Sequence, residues 1–547
     1  LGLRCADPAE EPNRDQGGQP SYAWFHRYLL SPSGMLNLLG ECDPLWDQLL
    51  ERKPNRARDM VFGIPTNLPQ ERGPMRLGFR HLAIVTMLLA GTAVWAQAKP
   101  AKDARLAGAY KFQRGGWTYV HLQGTPDQIG FEHGYLLGPQ IADALHVFRV
   151  EDEHSTHRDW AFYRNAAKTI FWPHIEAQYQ AELKGIAAGA QARGVKVDVW
   201  DIVALNGTME LSEYYVPWLD KRQHAMNAPA IHPEGRCSAF IATGSYTKDG
   251  KIVIAHNNWS SYAEGSRWTI MFDIKPDHGH RILQDGVPGM ITSNDDFGIN
   301  DAGIMMTETT ITQFEGWNSK GIPEFVRSRK ALQYANSIDD FVATMIEGDN
   351  GGYANDWLIG DRKTGEIAYL ELGLEHTPVW RKKDGYYVSS NFPRDPSLIK
   401  DETDGFNPRD PSSSMNARHL RWQELMREYK GRIDVQMAEK FLADHEDVYT
   451  HKEGADQRTL CGHEDVAKEG VPQWDDPPFN PGGAVQGKVT DSDLVAKMAL
   501  IAHAGHPCGE DFLAKPFLAA HPEYDWEAPI LRDMKAGPWT EFQSGEK

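Results

Sequence analysis

The chain changes character at Cys237. Upstream of it, residues 128–150, 172–193 and 198–213 carry apolar positions at helical spacing, and Gly194 closes the second stretch as a helix C-cap. Downstream, residues 238–246 and 251–257 are β-rich runs joined by Thr247-Lys248-Asp249-Gly250. Asp-Gly between two such runs is a strong hairpin signal. A hairpin there brings the chain back toward its start, so His256, Asn257, Asn258 and Trp259 become neighbours of the Cys237 thiol. The pattern predicts further strands over 117–122, 268–274, 299–312, 357–360 and 367–371, and helices over 325–348, 417–429 and 435–444. No internal repeat is present. This is α+β material around one core rather than a string of modules.

Composition narrows the function classes. The 547 residues are 41% hydrophobic and 24% charged, enough to bury a substantial core, and the formal net charge is −19. No long Lys/Arg run offsets that charge, which argues against nucleic acid and anionic membrane surfaces as partners. Neutral and zwitterionic small molecules stay open as substrates. Residues 1–74 are rich in Pro, Gly and charge and read as an upstream or leader segment. Residues 75–98 then have the form of a secretory signal peptide: Met75-Arg76-Leu77-Gly78-Phe79-Arg80, an apolar run over 82–95, and Ala96-Gln97-Ala98. The other reading of that run is a membrane-anchored or buried helix. The expectation is export to a periplasmic or secreted location, with the mature chain starting near Lys99.

Cys5 and Cys42 lie upstream of that cut, leaving Cys237, Cys461 and Cys508. In an oxidising compartment the loop contexts of Cys461 and Cys508 make them the expected disulfide, with two free buried thiols as the alternative. Cys237 is then a buried small hydrophobe or a nucleophile. Scission of the Arg236–Cys237 bond would give the thiol its own base, because an α-amino group titrates near pH ~8, well below a lysine amine. Residues 214–235 read as an exposed linker approaching that bond.

Several motifs then occur in one order. Cys237-Ser238-Ala239-Phe240, Ala255-His256-Asn257-Asn258-Trp259-Ser260-Ser261-Tyr262, the run over 288–297 and Glu308-Thr309-Thr310-Ile311 resemble the ordered signatures of the phospholipase B-like proteins. Residues 182–190, Leu205-Asn206-Gly207 and Thr459-Leu460-Cys461-Gly462-His463 resemble the wider autoproteolytic acyltransferases and amidases related to penicillin acyltransferase and acid ceramidase. The resemblance runs from about Trp117 to the C-terminus. It implies an N-terminal nucleophile (Ntn) hydrolase: a four-layer α-β-β-α sandwich with a mostly helical prosegment over 99–236 and a catalytic chain over 237–547, the two fragments staying associated after cleavage. A homodimer is left open.

The resemblance also implies roles. Cys237 attacks an acyl carbonyl, and Asn355, or less directly Asn258, donates to the oxyanion. His256 polarises the carbonyl, orients the amine or tunes the thiolate. Trp259, Tyr262, Tyr353 and Trp357 line an acyl pocket or belong to the core. The acid ceramidase branch has Gly-Arg-Asn-x-Asp where this chain has Ala255-His256-Asn257-Asn258-Trp259, so the Arg and Asp roles do not carry over. The expected activity is hydrolysis of acyl amides or esters through a thioester, without cofactor or metal. A processed but silent lipid- or peptide-binding protein is the rival, with a metallohydrolase the second. His503, His506 and Glu510 lack any metal-binding spacing, and Asn294-Asp295-Asp296 does not fit a calcium loop.

Overall fold

The computed structural model describes residues 103–223, 237–294 and 297–547. The 1–74 segment, the expected signal peptide over 75–98 and Arg236 lie outside the described residues.

Tyr110–Arg114 (β1) and Trp117–Gly124 (β2) form a hairpin that leads into the helix Pro126–Thr156. The helices Ala177–Ala192 and Val199–Asn206 follow. After Cys237 come Ser238–Thr243 (β3), Val253–Ser261 (β4), Ile270–Pro276 (β5), Ile282–Gly286 (β6), Gly298–Asn300 (β7) and Ile304–Thr310 (β8). The helices Glu324–Tyr334 and Ile338–Ile346 precede Asn355–Asp361 (β9), Glu366–Leu372 (β10), Val379–Lys382 (β11) and Gly385–Ser389 (β12). The helices Ser414–Glu428 and Val435–Leu442 and a short pair, Glu446–Asp447 (β13) with Lys452–Glu453 (β14), lead to Gly482–Asp491 (β15), Ala499–Ala504 (β16) and Thr540–Gln543 (β17).

The strands make a mixed α+β structure with two large sheets. One has nine strands in the order β1-β2-β5-β6-β7-β8-β9-β10-β11, the other six in the order β12-β3-β4-β15-β16-β17. Period-2 alternation assigns the faces. Ala239 and Ile241 of β3 pack with Met305, Leu358, Tyr369 and Leu500 in an apolar layer drawn from both sheets. Phe240 and Ala242 point the other way, into a cluster with Trp422, Met426, Phe441 and Leu442 of the late helices. The nine-stranded sheet likewise sends Phe272, Met306, Trp357 and Leu370 into a cluster with Leu137, Leu183, Phe325 and Phe341 of the earlier helices. β2 pairs with β5 in parallel, so the chain before Cys237 contributes two strands to a sheet completed by the chain after it.

Helices Pro126–Thr156 and Ala177–Ala192 meet through glycine. A Cβ on Gly134 would stand 2.0 Å from the Ile186 carbonyl oxygen, and one on Gly189 2.2 Å from that of Phe131. Neither backbone atom can swing aside. Alanine in mid-helix normally gains ~1 kcal/mol over glycine, but Gly134→Ala is expected to lose about 2 kcal/mol through overpacking. Chemical denaturation of the variant reads the sign directly.

Four of the differences between the structure and the sequence reading bear on the frame of the fold. Residues 299–312 form two strands, β7 and β8, because Gly303 turns the chain at φ +92°. Residues 325–348 form two helices, the second capped by Ser337, which accepts a hydrogen bond from the Asp340 amide. The linker expected from 214 begins as helix: Glu210–Tyr215 is a π turn continued by Val216–Arg222. The fourth difference is β15, which carries Gly482, Gly483 and Gly487 and has no strand signature in sequence, yet it pairs with β4 along the whole of that strand.

Candidate active site around Cys237

The hairpin places the site. In register, Ser238 lies opposite Asn257 and Ala239 opposite both His256 on β4 and Ser389 on β12. Cys237, one residue before β3, therefore sits between the second half of the hairpin's return strand, level with Asn258, and the chain leaving β12. Cys237 is buried, 4% exposed. Its Sγ, an imidazole nitrogen of His256 and a carboxylate oxygen of Glu308 lie within 4.8 Å of one another.

The backbone of Cys237 is held on both sides. Its N–H donates to Asn391 Oδ1 at 3.2 Å, and its carbonyl accepts from Arg418 Nη1 at 2.6 Å. Arg418 also donates to Ser238 Oγ at 2.9 Å, Asn391 Oδ1 at 2.9 Å and Ser414 Oγ at 3.0 Å, and its guanidinium lies 4.4 Å from the Trp259 ring centre. Burial pulls the Arg418 pKa down to about 9, opposed by the charges of Cys237 and Glu464, so it stays cationic at neutral pH. Asn391 takes the left-handed conformation, φ +65°, that asparagine tolerates better than most residues. Its Nδ2 donates to the Thr310 carbonyl at 2.9 Å, and its own amide donates to Thr309 Oγ1 at 3.2 Å. Thr309 in turn contacts Ser389 Oγ at 2.6 Å, and Ser389 donates to Asp356 at 3.0 Å. A polar chain between the sheets thus fixes the group that meets the Cys237 nitrogen.

A cleft of about 30 Å³ opens beside the thiol, lined by Cys237, Asn258, Trp259, Ser260, Thr310, Tyr353, Met209, Glu213, Glu264 and Trp268. That room suits a water-sized group. Tyr353, at φ +54°, holds a backbone conformation that is strained for a bulky residue, and its hydroxyl donates to Glu308 Oε1 and the Asn294 carbonyl, each at 2.9 Å.

Of the residues singled out in sequence, Cys237, His256, Asn258, Trp259 and Tyr353 come together. Trp357 does not: it is a core residue, 5.5 Å from the Phe341 ring. Tyr262 is also fully buried elsewhere, donating to Asp465 at 2.7 Å and packing 4.4 Å from Phe512. Asn355 pairs with Thr310 across β8 and β9 but is fully buried and off the cleft lining, and neither atom of its carboxamide has a hydrogen-bond partner. Cys461 and Cys508 are neighbours but unbonded thiols, so the expected disulfide is not formed here. Glu308, Asn391 and Arg418 carry no signal of a role in the sequence. Among the described residues, no helix is long and apolar enough to cross a membrane.

Comparison with known proteins bears on this arrangement. The family described as phospholipase B matches residues 142–370, which include Cys237, His256, Glu308 and Tyr353. Human phospholipase B-like 1 is 23% identical over 67% of this chain and 69% of its own length. The family match and this relative support placing the chain with the phospholipase B-like proteins. Phospholipase B of Crotalus adamanteus is 24% identical over 50% of this chain and 52% of its own. An uncharacterised protein of Archaeoglobus fulgidus is 25% identical over 52% of this chain; the chain spans about half the length of that relative and of the snake protein.

Two of the family-like motifs meet in the structure. Asn206 donates to the Gly289 carbonyl at 2.9 Å and accepts from the Ile291 amide at 2.8 Å, while His133 Nε2 accepts from the Gly289 amide at 2.8 Å. The segment before Cys237 therefore anchors the loop that delivers Asn294 to Tyr353.

Buried carboxyls give this chain a pH signature. Burial pushes Glu132, Asp152, Glu210 and Glu371 up to about 7 and Glu151 up to about 8. A carboxyl with a raised folded pKa favours the fold while protonated, so stability falls as pH rises from the unfolded value near 4 through the folded one. His133, His419 and His506 are pushed down to about 3 by burial, so their contribution is lost as pH falls below ~6.5. The carboxyls outnumber the histidines, and the melting temperature is expected to rise as pH falls from ~8 to about 5, then drop. Calorimetry across that range checks it; a flat or rising profile toward pH ~8 contradicts it.

Proposed function

We propose that this protein is a cysteine Ntn hydrolase, cut before Cys237, that cleaves acyl esters or amides through a thioester. The observation that carries the reading is the grip on the Cys237 nitrogen. Asn391 Oδ1 accepts from that nitrogen while Arg418 holds both Asn391 and the Cys237 carbonyl. An ordinary buried cysteine needs no such frame; a residue whose nitrogen becomes the catalytic base does. The order helices, sheet, sheet, helices supports the four-layer Ntn assignment, and the β2–β5 pairing supports fragments that stay together after cleavage.

In this mechanism the freed amine takes the thiol proton and the thiolate attacks the acyl carbonyl. The tetrahedral oxyanion collapses to a thioester, the alcohol or amine leaves with a proton, and water then releases the acid. Asn258, on the cleft, takes the oxyanion role ahead of Asn355, and His256 stands within reach of the leaving group. Glu308 and Tyr353 set the position of His256 and the thiol. Met209, Trp259 and Trp268 offer apolar surface to an acyl chain, and Glu213 and Glu264 on the rim favour zwitterionic over anionic head groups. The cleft must open beyond its water-sized room to admit that chain.

A thiol-reactive acyl probe tests the reading. Cleaved protein is expected to label at Cys237 and to hydrolyse at least one of a phospholipid ester and an N-acyl amide, with labelling lost in Cys237→Ser. Fully cleaved protein that neither labels nor hydrolyses either substrate belongs instead to a silent binding protein.

A further inference from the structure

Behind Trp259, four soft donors from three separate segments converge. His445 follows the Val435–Leu442 helix, Cys461 and His463 share one loop, and Cys508 follows β16. One donor atom from each lies within 4.8 Å of all the others. His463 Nε2 is 3.6 Å from Cys461 Sγ and 3.6 Å from Cys508 Sγ. We propose that His445, Cys461, His463 and Cys508 form a structural tetrahedral Zn²⁺ site.

The distances carry the choice of ligand. With Zn–S near ~2.3 Å and Zn–N near ~2.05 Å, tetrahedral angles place sulfur and nitrogen about 3.6 Å apart. A Cys₂His₂ set selects zinc among common divalent ions, and four protein ligands leave no open position, which marks a structural rather than a catalytic centre. A disulfide between the two cysteines would use the sulfurs and leave two imidazoles converging on them without purpose. The outer contacts suit a metal as well. His463 Nδ1 lies 3.9 Å from Asp465 Oδ1, and Tyr262 donates to that same oxygen at 2.7 Å. Tyr262, missing from the cleft, thus finds a place in the support of this site. Binding takes one proton from each thiol to solvent and changes no oxidation state.

The site would reach Cys237 mechanically. The loop before Cys461 presents the Leu460 carbonyl to Asn257 Nδ2 at 2.8 Å and to Trp259 Nε1 at 3.3 Å. Gly462 lies against the Trp259 ring so closely that an added Cβ would be 1.9 Å from it. Clamping this loop to His445 and Cys508 would fix the indole that lines the cleft and stacks on Arg418.

The test uses the full chain, purified without a polyhistidine tag or chelator and under non-reducing conditions. Elemental analysis is expected to find about one zinc per chain, Cys508→Ser to abolish it, and a strong chelator to lower the melting temperature of the native protein by several degrees. Cobalt exchanged into the native protein is expected to give a thiolate-to-cobalt charge-transfer band with intense tetrahedral ligand-field bands. Cys508 is partly exposed, so its serine variant is expected to fold and still be cut before Cys237, which separates this outcome from any failure of the hydrolase reading. Sub-stoichiometric metal, a Cys461–Cys508 disulfide peptide in the native protein, or zinc retained in Cys508→Ser overturns the proposal.

Discussion

Cys237→Ala is expected to give a single uncut chain of normal stability whose acyl-hydrolase activity falls ~10⁴-fold or more, the order seen when a covalent nucleophile is removed. Both effects come from one atom. Without Sγ there is no nucleophile to attack the preceding peptide bond, and none to attack a substrate. The fold should tolerate the change, because the hydrogen bonds at this position use the Cys237 backbone, which alanine keeps. Denaturing gels, turnover assays and melting curves read the three consequences separately. Cleavage that persists in the variant would place the cut under another agent's control.

Arg418→Lys is expected to lower kcat about 10²-fold with little change in KM. The arginine makes donations to Ser414, Ser238, the Cys237 carbonyl and Asn391 from one planar fork while stacking on Trp259. An ammonium keeps the charge but cannot reach four acceptors in those directions. The Cys237 nitrogen would then lose its fixed acceptor, and a base displaced by ~1 Å costs about that factor. Arg418→Met goes further: it leaves those buried acceptors unpaired and is expected to destabilise the fold by about 3–5 kcal/mol. A lysine variant with unchanged kcat would remove Arg418 from the positioning machinery.

Much of this frame is legible in the sequence, and the parts that are not share a physical cause. The β3–β4 hairpin follows from Asp249-Gly250, and with it the proximity of His256 and Asn258 to Cys237, because a two-strand return fixes contacts within about 20 residues. Asn391 and Arg418 stand 154 and 181 positions from Cys237, and only sheet closure by β12 and the packing of the Ser414–Glu428 helix bring them in. In sequence nothing about Asn391, ahead of Phe392-Pro393, or about Arg418, on the helix expected over 417–429, points to Cys237. The aromatic residues mislead for a related reason: Trp357 and Tyr353 are four apart and pack in one apolar cluster, yet only Tyr353, at the φ +54° turn before β9, also lines the cleft. The β15 strand is hidden by its glycines. Likewise Cys461 and Cys508 read as a disulfide because the imidazoles of His445 and His463 reach them only in three dimensions.

The most direct test is N-terminal sequencing and intact mass of the active, mature protein. The account predicts a heavy fragment that begins at Cys237 with a free α-amine and remains bound to a fragment ending at Arg236. A fully active protein that is one continuous chain across residues 236 and 237, or whose heavy fragment begins at another residue, contradicts it.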